Sequence, residues 1–300
     1  MDVLTIMDEI QRMSNGHSGN PTEIVLYVAD NGDNTCQDCL DNDGRIFDIN
    51  DPELPQLPIH PHCRCKYVSA ADPDEDISED VERYRIIKNL KAAGESDEEK
   101  ARALAEQIIN ARRENPKLRE QRLFLLFNGR YLMSSDGKLL LDAVSGQPVS
   151  EKTTVNWKTM FGGDETVVRE FDYSYSRQGI ENKGGIPWGL YHIEAKEERS
   201  AKTSPWSHVV KSRGWGNYAW TLHPDEETNV RERSGFFIHG GLDFNTMGCI
   251  DLQEGETKFQ KYFVSTGLSS IYVYVKYDKE RVTIREQRPK VYSSPSLYMP

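Results

Sequence analysis

The chain has 300 residues with 48 acidic and 37 basic side chains, which gives a formal net charge of −11 at pH 7. A nucleic-acid binder needs a basic face for the phosphates, so this charge balance argues against a nucleic-acid partner. No apolar run approaches the ~20 residues that a membrane-spanning helix needs, so we expect no membrane span.

The first nine residues are acidic and lack the basic start and the long apolar core of a secretory signal. We therefore expect the protein to be made as a soluble chain in the cytoplasm, without a signal peptide. A substrate outside the cytoplasm would then require a different, specialised route of export.

Four of the five cysteines lie close together near the start of the chain, in a C-x2-C pair followed after twenty residues by H-x2-C. Thiolates and an imidazole at such spacing can surround a tetrahedral zinc ion, and a short polar segment gains stability from a metal because it cannot bury much core. Reduced thiols without metal, or disulfides formed in an oxidising compartment, are the alternatives. The predicted zinc ligands are Cys36, Cys39, His60 and Cys63, with Cys65 and His62 as spare donors.

The same segment resembles the C-terminal end of phage Mu F-like minor head proteins, the head-morphogenesis family. The resemblance covers residues 30–68 and rests on C-x2-C at 36–39, DGRIF at 43–47 and the HP-x-CRC ending at 60–65. That family joins phage portals, and related modules stand at the front of bacterial toxins. The resemblance implies that residues 1–70 form a packaging or delivery module. The helical part of a full-length head protein is absent, which counts against a capsid function.

Residues 71–122 are predicted to be an acidic linker followed by a helical hairpin. Apolar residues recur with helical spacing at 81–90 and again at 101–109, and Gly94 separates the two runs. An apolar helix face is usually part of a core, so we expect the hairpin to pack on one of its neighbours. A chaperone or loading surface is the alternative.

From residue 123 onward the pattern changes to short alternating runs separated by turn signals. The predicted strands are 123–127, 138–141, 167–173, 188–193, 218–222, 235–238, 271–277 and 281–286, with a short helix at 256–262. We therefore predict an α+β protein whose main domain, 123–288, is a β-rich sandwich or distorted barrel. Residues 289–300 are predicted to be a tail.

The candidate catalytic residues are His239 and Cys249. An apolar run leads into His239 and then Gly240 and Gly241, and Cys249 follows His239 by ten positions, directly after Gly248. A neighbouring imidazole can lower the pKa of a thiol and create a nucleophilic thiolate. The backbone N–H groups of Gly248 and Cys249 are the expected oxyanion donors, each contributing roughly 3–4 kcal/mol to the barrier reduction. A buried structural cysteine beside a core histidine is the alternative.

The strings IHGG at 238–241 and GCIDL at 248–252 resemble the catalytic signature of L,D-transpeptidases, in the branch that serves as type VI secretion effectors. Further matches are LLFNGRYL at 125–132, VSG at 144–146 and GIPWGLYHI at 185–193. The larger secreted branch has a second histidine where this chain has Met247, and often an arginine where it has Asp251. Both differences favour the effector branch and leave transpeptidation less certain than cysteine-dependent cleavage.

The substrate-binding residues that we predict are Arg233, Gly240 and Gly241. Arg233 matches an arginine of the effector branch and could hold a substrate carboxylate, or equally well form a structural ion pair. The two glycines would keep the wall opposite Cys249 low enough for substrate to enter.

The resemblance implies a peptidoglycan enzyme that cleaves or exchanges the terminal D-alanine of stem tetrapeptides, as an L,D-carboxypeptidase or L,D-transpeptidase. It further implies an antibacterial toxin that a secretion or phage-derived apparatus delivers to the periplasm of a target bacterium, with a periplasmic immunity protein in the producer. No cofactor is expected for catalysis. The alternatives are a phage-borne or housekeeping enzyme of cell-wall remodelling and a non-enzymatic phage head-associated structural protein.

Overall fold

A computed structural model describes residues 24–29, 35–69, 78–159, 162–200, 215–241 and 246–291. The described residues form 17 strands and six α-helices, which confirms the predicted α+β class with a large share of strands. The chain divides into two compact units, Met1–Lys88 and Asn89–Pro300. The boundary between these two units lies inside a helix. The division of the chain into four parts, which was made from the sequence, stays a prediction.

The first unit contains a three-stranded antiparallel sheet that the sequence analysis missed. Its central strand β1 (Ile24–Val28) pairs with β2 (Ile46–Asp48) on one side and with β3 (Lys66–Ser69) on the other. Helix α1 (Gln37–Asn42) lies between β1 and β2 in the chain and carries the buried Cys39. A small hydrophobic cluster built on β1 and β2 therefore includes one of the predicted metal ligands.

Three helices follow, and their ends agree with the breaking residues in the sequence. They are α2 (Ser78–Ala93), α3 (Glu98–Glu114) and α4 (Pro116–Arg119). Gly94 follows α2 with a φ of +125°, the side chain of Asp97 caps α3 by accepting from the N–H of Lys100, and α4 begins at a proline. The buried face of α3 contains the predicted apolar residues, and the hairpin itself stays a prediction. No helix in the described ranges is long and apolar enough to cross a membrane.

The second unit carries the remaining strands, and each of the eight predicted strands overlaps one of them. In chain order they are β4 (Phe124–Phe127), β5 (Tyr131–Ser134), β6 (Leu140–Asp142), β7 (Val144–Ser145), β8 (Ser150–Thr159), β9 (Gly162–Asp172), β10 (Gly189–Glu194), β11 (Arg199–Ser200), β12 (Tyr218–Thr221), β13 (His223–Pro224), β14 (Phe237–His239), β15 (Ile250–Asp251), β16 (Ser270–Val275) and β17 (Arg281–Val291). The helices of this part are α5 (Tyr175–Gln178) and α6 (Glu256–Thr266), so the helix predicted at 256–262 is present and longer.

These strands form three sheets. A six-stranded sheet has the order β13–β10–β16–β4–β5–β6, a five-stranded sheet has the order β11–β12–β14–β15–β7, and a third sheet has the order β17–β9–β8. One hydrophobic cluster contains residues of both larger sheets and of α6, for example Val273 on β16, Ile238 on β14 and Phe259 on α6. The edge of the Phe259 ring meets Trp220 on β12, with the ring centroids 4.9 Å apart. The hydrophobic core therefore lies where α6 and the two larger sheets meet. Strands β14 and β15 pack against this core with one face.

Candidate active site and candidate metal centre

Strand pairing brings the two predicted catalytic residues to one face of the five-stranded sheet. Strands β14 and β15 are parallel neighbours, with Ile238 opposite Ile250 and His239 opposite Asp251. Successive side chains of a strand point to opposite faces, and Ile238 and Ile250 belong to the core cluster. His239, at the end of β14, and Cys249, the residue directly before β15, therefore both face away from that core. Residues 242–245, which connect the two strands, lie outside the described part of the chain.

The imidazole of His239 is fixed in the tautomer that a general base requires. Its Nδ1 lies 2.7 Å from the carbonyl oxygen of Gly240, and because a carbonyl can only accept, Nδ1 carries the proton and Nε2 has a free lone pair. Trp215 stacks on the ring with centroids 4.8 Å apart. Burial lowers the pKa of His239 below its usual value, so the ring is neutral at pH 7.

The thiol of Cys249 is buried and protonated at neutral pH. Its side chain is 7% exposed, and Sγ lies 3.9 Å from the carbonyl oxygen of Gly235. Burial raises the pKa of Cys249 to about 11, and the Phe237 N–H and the charge of Arg233 offset this only in part. No hydrogen bond joins Sγ to His239, although both residues are described. We expected the imidazole to lower the thiol pKa, but desolvation is the larger effect, so the thiol stays protonated.

Arg233 ties the loop before Cys249 to two other segments. It is 8% exposed, and its Nη1 donates to the carbonyl oxygens of Gln178 at 2.6 Å and Gly185 at 2.8 Å. Its Nη2 donates to the carbonyl oxygens of Gly184 and Met247, both at 3.0 Å. Backbone carbonyls thus occupy both terminal nitrogens, and this arrangement favours a structural role over the predicted contact with a substrate carboxylate.

The glycine at position 248 is required by this arrangement. Gly248 has a φ of +111°, and a Cβ there would lie 2.1 Å from Nη2 of Arg233. Its carbonyl oxygen accepts a hydrogen bond from Oγ of Ser145 at 3.1 Å, and the same Oγ accepts from the N–H of Ile186 at 2.8 Å. The predicted motif at 144–146 therefore touches the loop that carries Cys249 directly, and the motif at 185–193 is connected to it through Ser145 and Arg233.

Thr246 completes the hydrogen bonding of that loop. Its Oγ1 donates to the carbonyl oxygen of Cys249 at 3.0 Å and accepts from the N–H of Gly146 at 2.8 Å. Neither Thr246 nor Ser145 was recognised as a site residue from the sequence, although Ser145 lies inside one of the matching motifs.

Close packing explains the two glycines after His239. Gly241 has a φ of +151°, and its N–H donates to the carbonyl oxygen of Gln253 at 3.1 Å. A Cβ at Gly240 would lie 2.6 Å from the carbonyl oxygen of Gln253 and from the carboxylate of Glu256. The predicted contact of Gly240 and Gly241 with substrate stays a prediction, because the geometry gives both residues a packing reason.

The predicted metal ligands cluster in the first unit and could hold a metal ion. The donor atoms of Cys36, Cys39 and His60 all lie within 4.8 Å of one another, and so do those of Cys39, Cys63 and Cys65. Sγ of Cys39 is 3.3 Å from Nε2 of His60 and 3.9 Å from Sγ of Cys63. Thiolates bound to one tetrahedral zinc at about 2.3 Å would lie about 3.8 Å apart, so the spacing fits. The spare donor His62 is exposed and belongs to neither group.

Two further features surround the predicted metal ligands. Nδ1 of His60 lies 2.9 Å from the carbonyl oxygen of Pro61, which leaves Nε2 facing the sulfur atoms. Tyr27 is fully buried, and its hydroxyl has no hydrogen-bond partner among the described residues. Burial first, and then the neighbouring sulfurs of Cys65 and Cys39, raise the pKa of Tyr27, so its hydroxyl stays protonated beside these sulfur atoms. All five cysteines are free, and the described residues contain no disulfide.

In comparisons with known proteins, no family model matches the chain and no curated protein matches it. The family resemblances therefore stay predictions, and the site has to be judged on its geometry.

Replacing Arg233 with methionine should lower the free energy of unfolding by about 3 kcal/mol, because it leaves four carbonyl groups, three of them in buried hydrogen bonds, without their donor. Denaturant unfolding of the full chain measures this. The exposed Arg102 offers a matched control, and Arg102→Met should stay within about 0.5 kcal/mol of the wild type. Equal stability of the two variants would contradict the structural role of Arg233.

Alkylation of Cys249 by iodoacetamide should be slow at pH 7 and should rise about tenfold per pH unit up to about pH 10, since only the thiolate reacts. The direction follows from a pKa raised by burial. Peptide mass spectrometry follows the modification, and His239→Ala should leave the pH profile unchanged. A rate already at its plateau near pH 7, and lost in His239→Ala, would indicate a preformed thiolate–imidazolium pair instead.

Proposed function

We propose that this protein is a cysteine-dependent peptidoglycan enzyme that removes or exchanges the terminal D-alanine of stem tetrapeptides. The proposal rests on the placement of His239 at the end of β14 and of Cys249 directly before the parallel neighbour β15, on the same face of the sheet. The base has a fixed tautomer, and the nucleophile stands at the end of a loop held by Arg233 and Ser145. The substrate class comes from the motif resemblance to L,D-transpeptidases.

The proposed reaction begins with proton transfer from Sγ of Cys249 to Nε2 of His239 as the sulfur attacks a carbonyl carbon. That carbonyl belongs to the amide between meso-diaminopimelate and the terminal D-alanine. When the carbon–nitrogen bond breaks, His239 gives the proton to the leaving amine of D-alanine. Cys249 then carries the peptide as a thioester. Water releases it in carboxypeptidation, and the amine of a D-amino acid or of another stem releases it in exchange or transpeptidation.

A protonated resting thiol fits this sequence of steps. With a thiol pKa raised by burial and a histidine pKa lowered by burial, no ion pair is stable before substrate binds. The negative charge then develops first on sulfur and next on the carbonyl oxygen during attack. Backbone N–H groups of Gly248 and Cys249 are the proposed donors to that oxygen. We interpret the two sheets that share one core as an L,D-transpeptidase-like sandwich.

We further propose that the chain is an antibacterial effector. This part rests on the resemblance of residues 30–68 to phage head proteins and of residues 123–288 to the effector branch. A specialised secretion or phage-derived apparatus would carry it to the periplasm of a target bacterium, and an immunity protein would protect the producer there. An ordered base, nucleophile and supporting loop favour an enzyme over a structural protein that keeps a decayed domain.

We propose zinc as the ion of the metal cluster, held by Cys36, Cys39, His60 and Cys63. Three sulfur donors and one imidazole nitrogen are a set that zinc prefers, and a closed set of four protein ligands is typical of a structural site. Cys65 lies beside the cluster with the Tyr27 hydroxyl. Because the sheet of the first unit is small, the ion would supply part of the stability of that unit.

The wall-enzyme proposal predicts that wild-type protein converts tetrapeptide muropeptides to tripeptides, or adds a supplied D-amino acid in place of D-alanine. Cys249→Ala should lose the activity by at least about 10³-fold because it lacks the nucleophile. Mass spectrometry of muropeptides measures both products. Cys65→Ala is the matched control and should keep the activity. Equal conversion by wild type and Cys249→Ala would contradict the proposal, as would no conversion by either.

The zinc proposal predicts about one zinc ion per chain in protein purified without chelators. Cys39→Ser should lose most of it, because Cys39 belongs to both groups of donors. Cys249→Ser, a change of the one cysteine outside the cluster, should keep the metal. Native mass spectrometry measures the occupancy. A zinc-free wild type, or equal zinc in both variants, would be evidence against the site.

A further inference from the structure

A buried glutamate lies directly behind the loop that fixes the catalytic base. Glu256 is the first residue of α6 and is 4% exposed. Its Oε1 accepts from the side-chain amide of Asn217 at 2.9 Å and from the backbone N–H of Asn217 at 3.4 Å. Its Oε2 has no hydrogen-bond partner among the described residues. A buried carboxylate oxygen without a partner is costly, so a reason for keeping it has to be found.

The unpartnered oxygen of that carboxylate lies next to the backbone residue that binds His239. A Cβ at Gly240 would lie 2.6 Å from Oε2 of Glu256, and Gly240 is the residue whose carbonyl oxygen binds Nδ1 of His239. Gly216 also packs against these two residues. A Cβ at Gly216 would lie 3.0 Å from Cα of Gly240 and 3.2 Å from Cδ of Glu256. Two glycines thus allow the carboxylate to approach the backbone next to the imidazole.

Other ionisable groups on the elements around His239 are engaged elsewhere. Asp251 on β15 accepts from the N–H of Gln253 at 2.7 Å, and Arg233 is bound to backbone carbonyls. Arg199 on β11 stacks over the ring of Phe237, and Cys249 is a protonated thiol. Burial lowers the pKa of His239, while the Gly240 carbonyl and the charge of Glu256 raise it. Asp251 lies opposite His239 in the strand pairing, but the charge that raises the pKa of His239 is that of Glu256.

We propose that Glu256 is a positioning residue for the catalytic base, whose carboxylate, held by Asn217 behind Gly240, stabilises His239 when the imidazole accepts the thiol proton. The inference rests on the proposed function of His239. A fixed negative charge beside Gly240 strengthens the base without touching substrate, since the imidazolium is favoured at the moment it forms.

The test compares full-length wild type with Glu256→Gln, which keeps an acceptor for Asn217 and removes the charge. The His239 pKa is measured by NMR titration of the labelled imidazole, with the signal assigned by its loss in His239→Gln. We expect Glu256→Gln to lower the His239 pKa by about one unit. The acid limb of kcat/KM on tetrapeptide muropeptides should move to lower pH by the same amount, and kcat/KM at pH 7 should fall roughly tenfold.

Two controls separate charge from shape. Glu254→Gln removes an exposed charge two residues away and should change neither the pKa nor the rate. Glu256→Asp keeps the charge and should retain a His239 pKa closer to that of the wild type than Glu256→Gln does. If Glu256→Gln does not fold, the shorter pair Glu256→Asp and Glu256→Asn makes the same comparison of charged with neutral side chain.

An unchanged His239 pKa in Glu256→Gln would overturn the inference, and so would a lower rate with an unmoved acid limb, which would indicate a structural role only. If the wild type converts no muropeptide, the proposed function fails, whereas the NMR titration still decides whether Glu256 supports the charge of His239. The two failures are therefore distinguishable.

Discussion

The candidate site depends on the hydrogen bonds that the buried guanidinium of Arg233 donates to backbone carbonyls. The guanidinium bonds to backbone carbonyls of three chain segments and so fixes the loop before Cys249 against the end of α5 at Gln178 and against residues 184–185. A cation in a dry environment is stable only when its donors are satisfied, so these carbonyls and the arginine require one another. The positive φ of Gly248 follows directly, since any side chain there would collide with the guanidinium.

Burial sets the chemistry of the pair that this scaffold holds. Desolvation disfavours both the thiolate of Cys249 and the imidazolium of His239, so the resting site is neutral and the charges separate only as bonds change. Fixed partners then lower the free energy that is needed to separate the two charges. Nδ1 of His239 already donates to Gly240, the Phe237 N–H and Arg233 favour negative charge on sulfur, and Glu256 favours positive charge on the ring. Such preorganised partners are the usual source of catalytic stabilisation.

The sequence predicted the local features of this fold better than the long-range ones. Periodicity was sufficient for the apolar face of α3, for β4, β10 and β16, and for β14, which carries His239. It missed the small sheet of the first unit, because β1 is short and its partners lie far along the chain. The partners of Arg233 could not be predicted, since backbone carbonyls have no sequence signature and three of them are about fifty residues away. Glu256 resembled an ordinary acidic residue in the first turn of a helix.

The central claim is that Cys249 forms a covalent bond to a stem peptide after giving its proton to His239. Intact-protein mass spectrometry of wild type quenched with acid during turnover tests it most directly. The account predicts an adduct with the mass of the tetrapeptide muropeptide less its terminal D-alanine, located on Cys249 and absent from Cys249→Ala and His239→Ala. Two results would contradict the proposed covalent step. One is release of D-alanine by Cys249→Ala without any adduct, and the other is an adduct on a cysteine of the N-terminal cluster.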